Sequence, residues 1–362
     1  MIVRLVDRYV LRQFASTLFF SVGALCVIFI VVDMLESLDA FLDHNATFGV
    51  IVTYYVSFLP QILELLFPVG MLLASLFSIG RLSTNNETTA MRSSGMSLYR
   101  LMAPLLVFGL TMSFAQLYFN GWIVPVANAE KFRIEREYLA RGTGGEALYR
   151  LYFRDQPTRN VSVESYDAIA RQGRIVSIET FTNELHPRLL ERIEAPIMNW
   201  DTVRSAWVAP TAIRRVTIGD SLDVTTVNNA VLPFAITHDR IVRLQRNTDE
   251  LTFDELWDYI ETKKIGGKDT RRLEIDYYGQ WAFPFANAIV LLIAVPFASV
   301  RRRGGIAVNI AAAMVVSFVY IAFSRISQAM GTDLDFPVWV VAWSSNALFF
   351  LVGLTILVRT RT

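Results

Sequence analysis

Apolar residues gather in three blocks at each end of the chain, and a period-two pattern fills the middle. The first block runs from Phe14 to Val32 without a charge. At 1.5 Å per residue a helix of about 19 residues is long enough to cross a bilayer. The second runs from Val50 to Ser78 and is broken by Pro60, Pro68 and Glu64. The third runs from Leu101 to Val124, the fourth from Tyr277 to Val300 with Pro284 and Pro296, the fifth from Ile306 to Met330 and the sixth from Val338 to Val358. Arg4, Arg8 and Arg12 before the first block resemble a signal peptide, but Val32-Asp33-Met34-Leu35 is not a small-residue cleavage site, so an uncleaved span is expected.

Between the third and fourth blocks the period changes. A helical stretch from Ala127 to Ala140 precedes short alternating runs: Leu148 to Phe153, Val161 to Tyr166, Arg174 to Phe181, Arg188 to Ile193, Trp207 to Val216 and Leu222 to Val227. Gly, Pro, Asn and Asp separate them, which predicts short strands in a sandwich or jelly roll. A helix from Phe253 to Lys264 closes the region, with Thr252 as N-cap, Glu255 completing a capping box, and Gly266 and Gly267 as its end. The fold class is therefore an α-helical membrane protein with six transmembrane helices, three plus three, and an inserted all-β domain. The expected divisions are 1–125, 126–270 and 271–362.

Composition agrees: of 362 residues 53% are hydrophobic and 19% charged, so much of the surface faces something other than water. The net charge of +1 gives no reason to expect a nucleic-acid partner. The placement of charge says more. Arg4, Arg8 and Arg12, then Arg81, Arg92 and Arg100, then Arg301, Arg302 and Arg303, then Arg359 and Arg361 fall on one side. The short loops of the other side carry no Lys or Arg and hold Asp33, Glu36, Asp39, Asp43, Asp333 and Asp335. The positive-inside rule then makes both termini cytoplasmic and the central domain external.

Cys26 is the only cysteine, so no intrachain disulfide can form, and the three histidines stand far apart, in no metal-ligand spacing. ATP hydrolysis is excluded by the residues. The nearest approach to a phosphate loop, Gly266-Gly267-Lys268-Asp269, has Thr262 at the first glycine position and Asp269 at the hydroxyl position. An intramembrane hydrolase using Glu64 or a serine lacks a Ser-His pair, since His44 lies in a loop and His186 and His238 lie in the central domain.

The connector between the second and third blocks reads Gly80-Arg81-Leu82-Ser83-Thr84-Asn85-Asn86-Glu87-Thr88-Thr89-Ala90-Met91-Arg92-Ser93-Ser94-Gly95-Met96-Ser97. Thr84 as cap, Glu87 at N3 and Gly95 as terminator predict a helix of two to three turns. So short a helix is marginal alone, which leaves either a solvated connector or an element that docks on a partner.

This pattern of Gly80, Leu82, Ser83, Glu87, Ala90, Ser94, Gly95 and Ser97 resembles the permeases of lipopolysaccharide export, the LptF/LptG family of ABC transporter subunits. Leu5-Val6-Asp7-Arg8-Tyr9, Pro60, Phe67-Pro68, Ala195 to Trp207, Leu251 to Ile260, Pro284 and Pro296-Phe297-Ala298 extend the likeness over nearly the whole chain. Val6-Asp7-Arg8-Tyr9 and Val31-Val32-Asp33 look closer to the LptG type.

The resemblance implies a non-catalytic half-transporter with no cofactor of its own. It implies a heterodimer with a paralogous permease, a cytoplasmic ATPase dimer that binds ATP and Mg, and a single-span periplasmic bridge partner that adds β-strands. The substrate implied is lipopolysaccharide, extracted from the inner membrane of a Gram-negative bacterium. Thr84, Glu87, Ala90, Met91, Arg92 and Gly95 would then form the coupling helix, with Glu87 pairing to a basic residue of the ATPase. The alternative is a mechanotransmission or scaffold protein that binds the ATPase and moves no lipid.

Polar residues inside the spans are the remaining candidates. Glu64 either satisfies a backbone group freed by Pro68 or lines a cavity. Arg325 either pairs with Asp33 or Glu36 or binds a lipid A phosphate. By resemblance, spans one and five flank the lateral gate for lipid. LptG-type relatives tend to place lysines at the outer end of span one, where this chain has Asp33, Glu36, Asp39 and Asp43. A less anionic substrate, a bridging divalent cation or positive charge from the partner would each reconcile this. Trp200, Trp207, Tyr166 and Phe181 read as ordinary core.

Overall fold

The first two apolar blocks fold as helices that outrun them at both ends. The structure, a computed structural model, describes residues 5–139, 148–167, 170–184, 186–218, 221–233, 236–243, 246–265, 268–299, 305–333 and 335–359. They fall into two compact units, one formed by the two ends of the chain, the other by residues 140–270.

In the first unit α1 (Leu5–Asp43) is one helix of 39 residues. At 1.5 Å per residue it is far longer than a hydrocarbon core of about 30 Å, so both its basic start and its acidic end extend past the apolar stretch. Val10, Phe14, Leu18, Val22 and Cys26 recur every fourth residue as its buried stripe. That stripe packs on α2 (Phe48–Thr84), where a side chain at Gly70 would meet Val22 at 2.3 Å. As expected of a single span, α2 is continuous through Pro60 and Pro68. A short helix α3 (Glu87–Ser93) follows, then α4 (Leu98–Tyr118). A π-helical turn, Phe119–Ile123, joins α4 to α5 (Val124–Tyr138), the helix expected from Ala127 to Ala140. Ala140 itself lies outside the described residues.

The second unit holds all six expected strands: β1 (Leu148–Gln156), β2 (Arg159–Asp167), β3 (Gln172–Phe181), β4 (Leu189–Asp201), β5 (Ala206–Ile218) and β6 (Ser221–Val231). They form one antiparallel sheet in sequence order, each strand paired with the next. β4 starts one residue later than expected and runs on to Asp201, because Asn199, Trp200 and Asp201 find partners in Val208, Trp207 and Ala206. Val161, Val163, Val176, Ile178, Ala195, Met198, Trp207 and Ala209 bury one face. Trp207 and Tyr166 are core as expected, while Trp200 and Phe181 are half-buried. The Trp207 indole N–H donates to the Ile236 carbonyl at 2.7 Å, which anchors the chain leading into α6 (His238–Arg243). In α7 (Phe253–Ile265) the capping box forms as read: Glu255 N–H donates to Thr252 Oγ1 at 3.4 Å and Thr252 N–H to Glu255 Oε2 at 3.2 Å. Gly266 and Gly267, expected to end it, lie outside the described residues.

The chain returns to the first unit with α8 (Arg271–Ala282), a 3₁₀ turn at Phe283–Phe285, α9 (Ala286–Ser299), α10 (Gly305–Gly331) and α11 (Val338–Arg359). α9 lies innermost, packed by α2, α4 and α11. Among the described residues five helical stretches are long and apolar enough to cross a membrane: Leu5–Asp43, Phe48–Thr84, Leu98–Tyr138, Arg271–Ala298 and Val338–Arg359. The fifth expected span coincides with α10, 27 residues long, which includes the apolar stretch Val315–Gly331. This is a multi-pass arrangement.

Candidate functional site: the α2–α4 connector and the polar groups between the helices

The connector helix begins later than its caps suggest. Thr84 is the last residue of α2, and its hydroxyl donates to the Gly80 carbonyl at 2.9 Å. It is therefore no N-cap. Asn86 takes that place in the left-handed region, φ 60°, which asparagine tolerates well. Glu87 becomes the first residue of α3 and not its third. A carboxylate there still favours the helix, since it lies against the unpaired N–H groups of the first turn. The other end closes as expected. Gly95 has φ +86°, its N–H donates to the Arg92 carbonyl at 3.0 Å, and Met96 N–H donates to Met91 at 3.0 Å, the bonding of a Schellman motif.

Two contacts tie this connector to α1. Tyr9 Oη donates to Glu87 Oε2 at 2.9 Å, and Asn85 Nδ2 donates to Oε1 at 3.2 Å. Asp7, buried, receives Arg100 Nη2 at 2.7 Å, in the first turn of α4. Ser97 caps α4 by accepting from the Arg100 N–H at 3.3 Å. Thr88 is buried, Ala90 and Arg92 are exposed, and Met91 is half-buried. Thr88, Met91, Met96, Leu98 and Leu101 line a small hollow between α3 and α4.

Glu64 is half-buried, and its reading needs correction. Pro68 lacks an N–H, so the carbonyl four residues back, that of Glu64 itself, loses its helical donor. The group that fills the gap is Gln116 Nε2 of α4, at 2.9 Å, not the Glu64 carboxyl. Asn287 Nδ2 of α9 then donates to Gln116 Oε1 at 2.6 Å. The carbonyl freed by Pro68 is thereby satisfied by a chain of amides across three helices.

A second polar cluster joins α2 and α5. Lys131 and Glu135 form a buried ion pair at 3.3 Å. Lys131 Nζ also donates to Gln61 Oε1 at 2.9 Å and lies 4.4 Å from the Phe58 ring centre, while Tyr54 Oη donates to Glu135 at 3.2 Å. The sequence reading missed this pair and the amide chain. The available signal was Gln116, an amide in a mainly apolar run.

Arg325 is exposed on α10, and among the ion pairs of the described residues none joins it to Asp33 or Glu36. Asp33 is half-buried on α1 and Glu36 exposed. α1 packs on α2, whereas α10 packs on α2, α8 and α11. In the sheet unit, Tyr166 Oη and His238 Nδ1 are 2.5 Å apart, and burial pushes the His238 imidazole below its usual pKa.

Long apolar helices, interhelical amide and ion-pair links, and one separate antiparallel sheet unit define a multi-pass membrane protein with an inserted β domain. A family model described as lipopolysaccharide export system permease LptF/LptG matches residues 8–359, and the chain belongs to that family. It is 21% identical over 319 residues to the lipopolysaccharide export system permease protein LptG of Escherichia coli strain K12, covering 84% of each chain. It is 18% identical to LptG of Haemophilus influenzae over 99% of each chain, and 19% identical to E. coli LptF over 97% of this chain and 94% of that one.

Proposed function

We propose that this chain is a non-catalytic permease subunit, nearer the LptG type, of an ATP-driven transporter. It extracts lipopolysaccharide from the inner membrane of a Gram-negative bacterium and passes it to a periplasmic bridge. Six spans, with α10 as the fifth, form two halves around a periplasmic, jelly-roll-like domain, and both termini are cytoplasmic. The clustering of arginines on one side and of carboxylates on the other supports this orientation.

The observation that carries the reading is Glu87, a half-buried carboxylate on the first residue of a short, separately terminated helix in the arginine-bearing connector. Thr84, Ala90, Met91, Arg92 and Gly95 belong to the same coupling segment, which docks on a separate ATPase dimer holding ATP and Mg. The charge of Glu87 registers a basic residue of that partner.

Arg325 supports the lipid half of the reading. A charged group exposed on an apolar helix needs a counter-ion, and a planar guanidinium suits a lipid A phosphate. By the family resemblance α1 and α10 border the route of the lipid, which the paralogous permease of a heterodimer completes, with Asp33, Glu36 and Glu64 near that route. β6 is one of the two outer strands of the sheet, exposed along nearly all of its length and free of Lys, Arg and Pro. It offers an unprotected edge for a strand of the bridge partner.

Photo-crosslinkers at Phe318 and Ile326, both exposed on α10, test the transport reading. ATP-dependent adducts with lipopolysaccharide are expected. Their absence from both positions in an assembled, ATP-hydrolysing complex contradicts it and favours a scaffold.

A further inference from the structure

Both carboxylate oxygens of Glu87 are engaged within the chain. Asn85, which donates to Oε1, stands two residues away and shapes the local turn. Tyr9, which donates to Oε2, comes from 78 positions earlier, on another helix. A carboxylate offers about four acceptor sites, so two donors leave room for an outside one. They also fix the plane in which the remaining sites lie. A glutamate without them samples several rotamers and loses more entropy when it docks.

Asp7 adds the second half of the argument. At 3.6 residues per turn, positions two apart on a helix point about 200° apart. The start of α1 is therefore held on two sides, Asp7 by the start of α4 and Tyr9 by the start of α3. The connector between α2 and α4 is tied to α1 near both of its ends. The buried Asp7–Arg100 pair already fixes α1 to α4. The exposed Tyr9 bond adds little to the hold of the fold. What it sets is the direction of the Glu87 carboxylate and a direct link from α3 to α1 that bypasses α2.

We infer that Tyr9 is a positioning residue for coupling: its hydroxyl orients Glu87 for the docked ATPase and makes the basic end of α1 follow the movement of α3. This rests on the coupling role proposed above for α3. The consequence is that α1 is driven from the nucleotide side along its own hydrogen bond.

The test uses the full permease–ATPase complex in liposomes, with lipopolysaccharide release and ATP hydrolysis measured together. Tyr9→Phe keeps the ring and removes only the hydroxyl. The expected result is an about threefold or greater fall in lipopolysaccharide released per ATP hydrolysed. In a Glu87→Gln background the same change has a smaller effect, because the bond it removes is already weakened at its acceptor. An unchanged ratio in Tyr9→Phe, or two effects that simply multiply, overturns the inference. The coupling reading fails separately, through retention of the ATPase by Glu87→Lys, and then the inference falls with it. Loss of the ATPase in Glu87→Lys with an idle Tyr9→Phe removes the positioning role alone.

Discussion

The side-chain amide of Gln116 donates a 2.9 Å hydrogen bond to the carbonyl of Glu64, the group left without a backbone donor by Pro68. A buried acceptor without a partner costs about 1–3 kcal/mol. Gln116→Leu strands both this carbonyl and the Asn287 amide, so a loss of that size is expected in detergent unfolding. Adding Pro68→Ala returns the backbone N–H and reduces the cost of Gln116→Leu. A cost that is the same with and without Pro68 contradicts the assignment.

Lys131 and Glu135 present a different balance. Removing one partner of a buried ion pair leaves an uncompensated charge and costs about 3–5 kcal/mol, whereas replacing both is often close to neutral. Lys131→Met is expected to lower the unfolding temperature strongly. Lys131→Met with Glu135→Leu is expected to recover most of the loss, even though Tyr54 and Gln61 each lose a partner. Additive losses in the double variant would show the pair to be more than locally balanced.

The sheet unit carries a pH dependence. Burial lowers the His238 pKa, with Asp239 opposing and Arg171 assisting. A histidine whose folded pKa lies below its unfolded value binds its proton more readily when unfolded. Its contribution to stability is therefore present above the unfolded pKa, about 6.5, and is lost as pH falls through the folded one. Amides of residues 236–243 are expected to exchange faster at pH 5 than at pH 7.5, beyond the change in intrinsic rate. The difference is expected to shrink in His238→Gln. Equal protection at both pH values contradicts it.

The six strands were legible because alternation and turn residues are local signals, and so was the Thr252–Glu255 capping box. The start of α3 was not. Thr84 and Glu87 fit a capping box by spacing, yet Thr84 can also bond back to Gly80 and continue α2, and tertiary packing of α2 decides between them. The donor that serves the carbonyl freed by Pro68 was hidden for a related reason. A proline predicts a freed carbonyl but says nothing of a donor 52 residues away in sequence. Arg325 could be recognised as unusual from its apolar surroundings, while whether it meets Asp33 or Glu36 depends on which helices pack together. The contact of Tyr9 with Glu87 likewise joins two segments that no local pattern relates.

Glu87→Lys in the full complex tests the central claim most directly, with the ATPase retained on the purified permease as the readout. The account predicts that reversing this charge releases the ATPase and stops lipopolysaccharide export, while the permease itself stays folded and in the membrane. An ATPase that stays bound, with export undiminished, would contradict it.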